Sequence, residues 1–248
     1  DDMFFYLMKK QMFYKRILIW LLRFRHRKGY GVHSPFAFNL ITGVIYEKAQ
    51  YYDYEYLNDL IEKTSQKYSS SWNRYLESAK IYEFIFRLAN YAHPQTILEI
   101  GTSVGAGSVY LSCSRKNARF ITVDKNSPTN TLAATLFKNY SGNIDFRFGD
   151  VSALVSGAIS ELDLLDFLFL HAGDYPLNAV QSMFEQCISK SNAGSVFLIQ
   201  DIHKSSALKR WWKEIQLDER VGITFDLYDF GIIFFDRKKI KQHYIVNF

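Results

Sequence analysis

The stretch Ile97-Leu98-Glu99-Ile100-Gly101-Thr102-Ser103-Val104-Gly105-Ala106-Gly107 constrains the fold more than any other part of this chain. An aliphatic, β-branched run ends around an acid. Three glycines follow at spacings of four and two, and an apolar-periodic segment begins behind them. A strand that runs into a glycine-rich turn and then a helix brings backbone N–H groups and a helix N-terminus close to a ligand. On this reading the glycines are needed because a side chain would block that approach. Twenty-five residues after Glu99, a second apolar run, Phe120-Ile121-Thr122-Val123, ends in Asp124. An acid at the tip of the second strand is placed to accept hydrogen bonds from ribose hydroxyls.

The rest of the chain from residue 96 alternates regularly. Strands are expected at 96–101, 120–124, 144–149, 164–171 and 195–200. Helices are expected between and after them at 105–115, 128–139, 151–159, 177–190 and 205–216. Five apolar strands joined by helical crossovers imply a parallel sheet covered on both faces. The end differs. The runs 222–228 and 231–235 are too close for a crossover helix, so they pair antiparallel as a hairpin. Upstream, the periodicity predicts a helix over 73–92 that stops at His93-Pro94, and another over 3–28. Ser34 and Pro35 are placed to start a further helix at about 36–47. The intervening residues 30–72, with five tyrosines between Tyr46 and Tyr56, read as helices and loops laid over the domain. The division expected is an N-terminal helical extension, 1–72, and an α/β domain, 73–248.

Charge is unevenly placed. Residues 1–30 carry eight Lys or Arg and two acids, whereas the whole chain is only +5. The positive excess therefore belongs to the N-terminal segment, which argues against a nucleic-acid surface on the domain. The segment mixes its cations with residues such as Phe5, Phe13, Ile17, Trp20 and Leu21. It reads as a helix docked on its own domain or on a second subunit, a homo-oligomer in the latter case. A peripheral membrane helix and a nucleic-acid arm are the alternatives. No apolar run approaches the roughly 18–20 residues of a transmembrane span, and no signal peptide is visible. The two cysteines, Cys113 and Cys187, fall in expected helices and form neither a disulfide nor a zinc pattern. A cytoplasmic location, with or without membrane association, is the expectation.

Two nucleotide readings compete for the glycine turn. A dinucleotide fingerprint reads GxGxxG, whereas this chain reads E-x-G-x-x-x-G-x-G. Its carboxylate stands where a pyrophosphate would be repelled, and it suits a ligand with a positive charge or an amino group. The pattern resembles motif I of class I S-adenosylmethionine (SAM) methyltransferases, and Asp124 resembles their ribose-binding acid. The region 73–248 is similar to the small O-methyltransferase branch that includes catechol and caffeoyl-CoA enzymes. His33–Phe36, Asp201–His203 and Gly231–Phe248 also resemble segments of uncharacterised methyltransferase-like proteins of Bacteroidetes. The resemblance implies a Rossmann-like, seven-stranded sheet, parallel with an antiparallel last strand. It implies SAM as cofactor, with Glu99, Gly101, Thr102, Gly105 and Gly107 on the methionine side. Asp124 would then lie on the ribose, and Asp150 and Val151, after Gly149, beside the adenine.

The catalytic side departs from that pattern. In the metal-dependent branch, three ligand positions and a proton-accepting lysine are expected, and here they read His171, Gln200, Asp201 and Asp174. One carboxylate among three ligands is a poor offer to Mg²⁺. The departure points to His171 or Asp174 as general base and Asp201 beside them, without an essential metal; the alternative is a weak Zn²⁺, Mn²⁺ or Fe²⁺ site on the same residues, with His203 close by. Two functions stand. One is SAM-dependent methyl transfer to an O or N nucleophile of a small-molecule acceptor. The other is a catalytically degenerate homologue that binds SAM or S-adenosylhomocysteine (SAH) as a binding or assembly protein. A nicotinamide-dependent reductase is disfavoured by Glu99 and the closing hairpin.

Overall fold

The computed structural model describes residues 17–68 and 75–248. The expected boundary at 72/73 and the expected helix residues 3–16 and 73–74 lie outside those residues. The remainder of the first expected helix is helical over 17–22 and turns once more over Phe24–His26.

Helix α1 (Pro35–Leu40) starts as its sequence predicts. Ser34 accepts a hydrogen bond from the Ala37 N–H, and Pro35 occupies the first turn. The helix continues as a wider π turn over Ile41–Ile45, closed by the Tyr46 N–H on the Ile41 carbonyl at 2.9 Å. Helix α2 spans Tyr52–Tyr68. Helix α3 runs Ala79–Ala92, six residues later in its start than the periodicity predicts. Ser78 is extended, and the Glu77 N–H is taken by the Tyr82 hydroxyl at 2.8 Å instead of by a helical turn.

From there, strand and helix alternate. The order is β1 (Thr96–Ile100), α4 (Ala106–Ser114), β2 (Arg119–Lys125), α5 (Thr129–Asn139) and β3 (Asp145–Gly149). Then come α6 (Val151–Glu161), β4 (Phe167–His171), α7 (Leu177–Ile188), β5 (Val196–Gln200) and α8 (Ser206–Leu217). The chain closes with β6 (Ile223–Asp226), β7 (Phe230–Phe234) and β8 (His243–Ile245). The strands form one sheet in the order β3-β2-β1-β4-β5-β7-β6-β8. β7 alone runs against its neighbours β5 and β6, and the other pairings are parallel. The seven expected strands are all present. The eighth, β8, adds beside β6 through the Thr224 N–H on the Gln242 carbonyl.

Strand parity divides the core. Ile97, Phe120, Phe167 and Leu198 face one apolar layer, shared with Leu40, Ile41, Tyr54, Leu57, Phe84 and Val109. Leu98, Ile100, Ile121 and Leu168 face the other, under Val155, Val180, Phe184 and Trp212. Residues 37–61 thus share one core with the sheet. Phe36 adds to this by packing on the Phe234 ring, at 5.1 Å between centroids. The topological consequence matters most for function. From β1 the chain moves outward to β2 and β3, and then returns to β4 on the other side of β1. That reversal leaves a crevice beyond the C-terminal ends of β1, β2 and β4.

Candidate active site

A cavity of about 470 Å³ occupies that crevice. One end is lined by Glu99, Thr102, Ala106, Gly107 and Asp124, and the other by His171, Asp174, Gln200, Asp201 and Lys204. The first end is built by the turn after β1. Gly101, Ser103 and Gly105 all have positive φ, which coils the turn tightly. A side chain at Gly101 would bring its Cβ within 2.7 Å of the His171 Cβ, and one at Gly105 within 2.6 Å of the Phe137 ring. The chain's own packing therefore already requires glycine at both positions. Gly107 does line the cavity, with its missing Cβ 3.4 Å from Glu99 Oε1. Gly105 provides no side-chain cap for α4, so the helix opens on the cavity with its first N–H groups free of one.

Glu99 is almost fully buried, yet it lines the cavity. Its Oε2 accepts from the Ser108 hydroxyl and from the Thr122 hydroxyl, the latter at 2.7 Å. Thr122 Oγ lies 2.7 Å from Thr102 Oγ. A hydroxyl has one proton, so Thr122 donates to the carboxylate and accepts from Thr102. The second carboxylate oxygen, Oε1, lies toward His171 Nε2 at 3.8 Å, an ionic distance and too long for a hydrogen bond. Asp124 is also nearly buried. It accepts the Ser103 N–H at 2.8 Å and the Lys125 N–H at 2.7 Å, with the Tyr175 hydroxyl at 3.4 Å. Burial raises its pKa above the ordinary value, against the pull of the two N–H donors.

At the other end, His171 packs on the Phe169 ring with centroids 4.2 Å apart. Its Nε2 is buried without a hydrogen-bond partner. Burial is the largest influence and by itself would lower its pKa, but the Glu99, Asp174 and Asp201 carboxylates together outweigh it, and the imidazole is held above its ordinary value. Asp201 has φ +67°, a strained backbone for a residue with a side chain, secured by its N–H on the Asp229 carbonyl at 2.6 Å. Its carboxylate meets the Lys204 ammonium at 3.0 Å. That ammonium also donates to the Gly173 carbonyl at 3.2 Å and lies 3.9 Å from Asp174. Gly173 has to be glycine for this arrangement, since a Cβ there would sit 2.1 Å from Asp201 Oδ2.

These contacts decide the fit of a divalent cation. His171, Gln200 and Asp201 bring a single carboxylate, and the ammonium of Lys204 already occupies it. Among the described residues no group of three His, Cys, Asp or Glu side chains is arranged to hold a metal ion. The donor set does not fit Mg²⁺ or its relatives.

Of the residues expected at the site, Glu99, Thr102, Gly107, Asp124, His171, Asp174 and Asp201 line the one cavity. Gly101 and Gly105 shape the turn behind it. Asp150 and Val151 do not line it. Asp150 instead caps α6 by accepting the Ala153 N–H at 2.9 Å, and Val151 packs on the apolar layer beneath. Sequence reasoning did not find Ser108, Thr122, Tyr175 or Lys204.

Comparison with protein-family models and with the curated proteins finds no match to the sequence. Solved structures do match. PaMTH1, an SAH-bound methyltransferase of Podospora anserina, has a TM-score of 0.61 at 14% identity, covering 82% of this chain and 96% of that one. The O-methyltransferase TomG of Streptomyces achromogenes, involved in tomaymycin synthesis and solved with SAM, has a TM-score of 0.58 at 17% identity. That match covers 71% of this chain and 89% of that one. An O-methyltransferase of Bacillus cereus with SAH gives 0.57 at 16% identity, over 79% and 96% of the two chains. The chain has the fold of the class I SAM-dependent methyltransferases.

Proposed function

We propose that this chain is a SAM-dependent methyltransferase that acts on an O or N nucleophile of a small-molecule acceptor, without an essential metal. The observation that carries the reading is the pair of buried carboxylates, Glu99 and Asp124, at the tips of adjacent strands and on the wall of one cavity. Bound SAM would supply an activated methyl group on a sulfonium, so the protein's task is orientation more than bond activation. Glu99 Oε1 holds the cofactor's ammonium, while Ser108 and Thr122 keep the carboxylate turned toward the cavity. Asp124 takes the ribose hydroxyls through lone pairs left over from its backbone donors. Phe169 and Tyr82 add aromatic wall to the same cavity.

The acceptor then lies over β4 and β5. His171 is better placed than Asp174 to take its proton. The imidazole Nε2 is buried at the cavity without a partner, whereas Asp174 is half-exposed and faces the Lys204 ammonium. Lys204 in turn pairs with Asp201, the one carboxylate among His171, Gln200 and Asp201.

Calorimetric titration with SAH tests the cofactor half. The wild-type protein should bind, and Asp124→Ala should weaken binding by about 1.5–3 kcal/mol through loss of a charge-assisted hydrogen bond. No binding at millimolar ligand would overturn the reading. Methyl transfer from labelled SAM across a panel of phenols, alcohols and amines tests the catalytic half. Binding without transfer to any of them would favour the degenerate binding protein.

A further inference from the structure

We propose that the outer face of residues 17–30 is a docking surface for an anionic lipid bilayer. The segment is fixed to the domain along its inner side. The Arg23 guanidinium pairs with Asp226 Oδ1 at 2.8 Å, donates to the Asp226 carbonyl at 3.1 Å and lies over the Tyr228 ring. His203 Nε2 holds the other Asp226 oxygen at 2.7 Å. Asn247 donates its side-chain amide to the Trp20 carbonyl and its backbone N–H to the His26 carbonyl.

The outer side nonetheless remains apolar. Leu18, Leu21 and Leu22 follow helical spacing onto one side, and they are 57%, 56% and 73% exposed. Phe24 and Tyr30 extend the same exposure. A contiguous apolar surface on an anchored element marks an interaction site. Its charge identifies the partner. Residues 17–30 contain Arg23, Arg25, Arg27 and Lys28 and no acid at all. With Arg23 held by Asp226, Arg25 and Lys28 stand exposed on the same segment. Arg27 lies over the rings of Trp20 and Phe24 at 5.3 and 5.2 Å, a cation and aromatic pairing suited to the headgroup level.

A second copy of the chain would set these cations against their own equivalents across a two-fold axis, with no acid between them. A nucleic acid would satisfy the cations and leave the leucines in water. An anionic bilayer accepts both, the leucines at the acyl boundary and each cation at about fivefold in partition. The sequence upstream continues the mixture, with Phe4, Phe5 and Phe13 beside Lys9, Lys10 and Lys15. His203, which anchors the segment through Asp226, is the chain neighbour of Lys204 on the cavity wall. The lipid surface would therefore border the acceptor end of the cavity, a placement that suits an acceptor partitioned into the membrane.

The test is co-sedimentation of the full chain with vesicles of phosphatidylcholine alone and of phosphatidylcholine with phosphatidylglycerol. Sedimentation with the anionic vesicles, weakened by salt, is expected. Leu18→Glu with Leu22→Glu, and separately Arg25→Glu with Lys28→Glu, should each reduce it at least tenfold. All four side chains are at the surface, so the thermal midpoint and SAH binding should be unchanged. Failure to sediment with anionic vesicles overturns the proposal, as does full retention in either double variant. Equal binding to neutral vesicles removes its electrostatic half. A dimer that the leucine variants dissociate, together with no vesicle binding, assigns the face to a second copy instead. Because SAH binding is read in parallel, failure here is separable from failure of the methyltransferase reading.

Discussion

Thr122→Val is the sharpest single probe of how the cofactor end works. Thr122 is fully buried on β2, directly opposite Glu99 in the strand register, and gives its one proton to Glu99 Oε2 at 2.7 Å. Valine has nearly the same shape, so packing between the layers is retained while the donor is lost. The buried carboxylate is left with Ser108 as its only side-chain donor at that oxygen. Removing one donor from a buried charge costs about 1.5–3 kcal/mol. Part of that cost appears as lower stability, and the rest as a carboxylate free to turn from the cavity. SAH binding should therefore weaken by roughly tenfold to a hundredfold at the upper limit. 5′-Methylthioadenosine, which lacks the amino-acid end, should bind the variant as it binds the wild type. Calorimetry with both ligands reads the difference directly. If both ligands lose affinity equally, or neither does, Glu99 does not hold the ammonium through these hydroxyls.

Much of the fold was legible because the glycine turn and the crossover pattern are local signals with global consequences. Strands β1 to β7 follow from apolar runs whose separations allow either a helix or a hairpin and nothing else. β8 is different. It has three residues, two of them exposed, so no alternation marks it, and its pairing depends on β6 being in place. The late start of α3 also escapes periodicity, since it turns on the Tyr82 hydroxyl reaching back to the Glu77 N–H. At the site, the acids at strand tips were readable because strand ends converge at a switch point. Thr122 was not, because its role depends on the register that sets it beside Glu99. Lys204 was not, because its pairing with Asp201, three residues before it, reads as an ordinary local ion pair, and its place on the cavity wall depends on Gly173 and Asp174, brought near by the pairing of β4 and β5. His33–Phe36 now has a physical role: Ser34 and Pro35 start α1, and Phe36 fastens it to β7.

Three further outcomes are expected. Gly101→Ala places a Cβ 2.7 Å from His171 at a positive φ and should lower stability by about 1–3 kcal/mol, read as a lower urea midpoint; wild-type stability would refute the packing argument. EDTA, and equally added Mg²⁺, should leave the thermal midpoint, SAH affinity and any turnover unchanged, whereas a metal-dependent rise in any of them would show that Lys204 yields its place. The last concerns pH. His171 faces Glu99, Asp174 and Asp201, and its folded pKa lies above the ordinary 6.5. A group whose pKa is raised by folding adds stability that is fully present below its unfolded pKa. That stability is lost as pH rises through the folded value. The same deprotonation frees Nε2 to act as base, so turnover should rise over the window in which stability falls, with its inflection above that of an ordinary histidine. His171→Asn should flatten both trends together, because one proton governs them. Opposite slopes that persist in the variant would place the titration on another group and remove His171 from the mechanism.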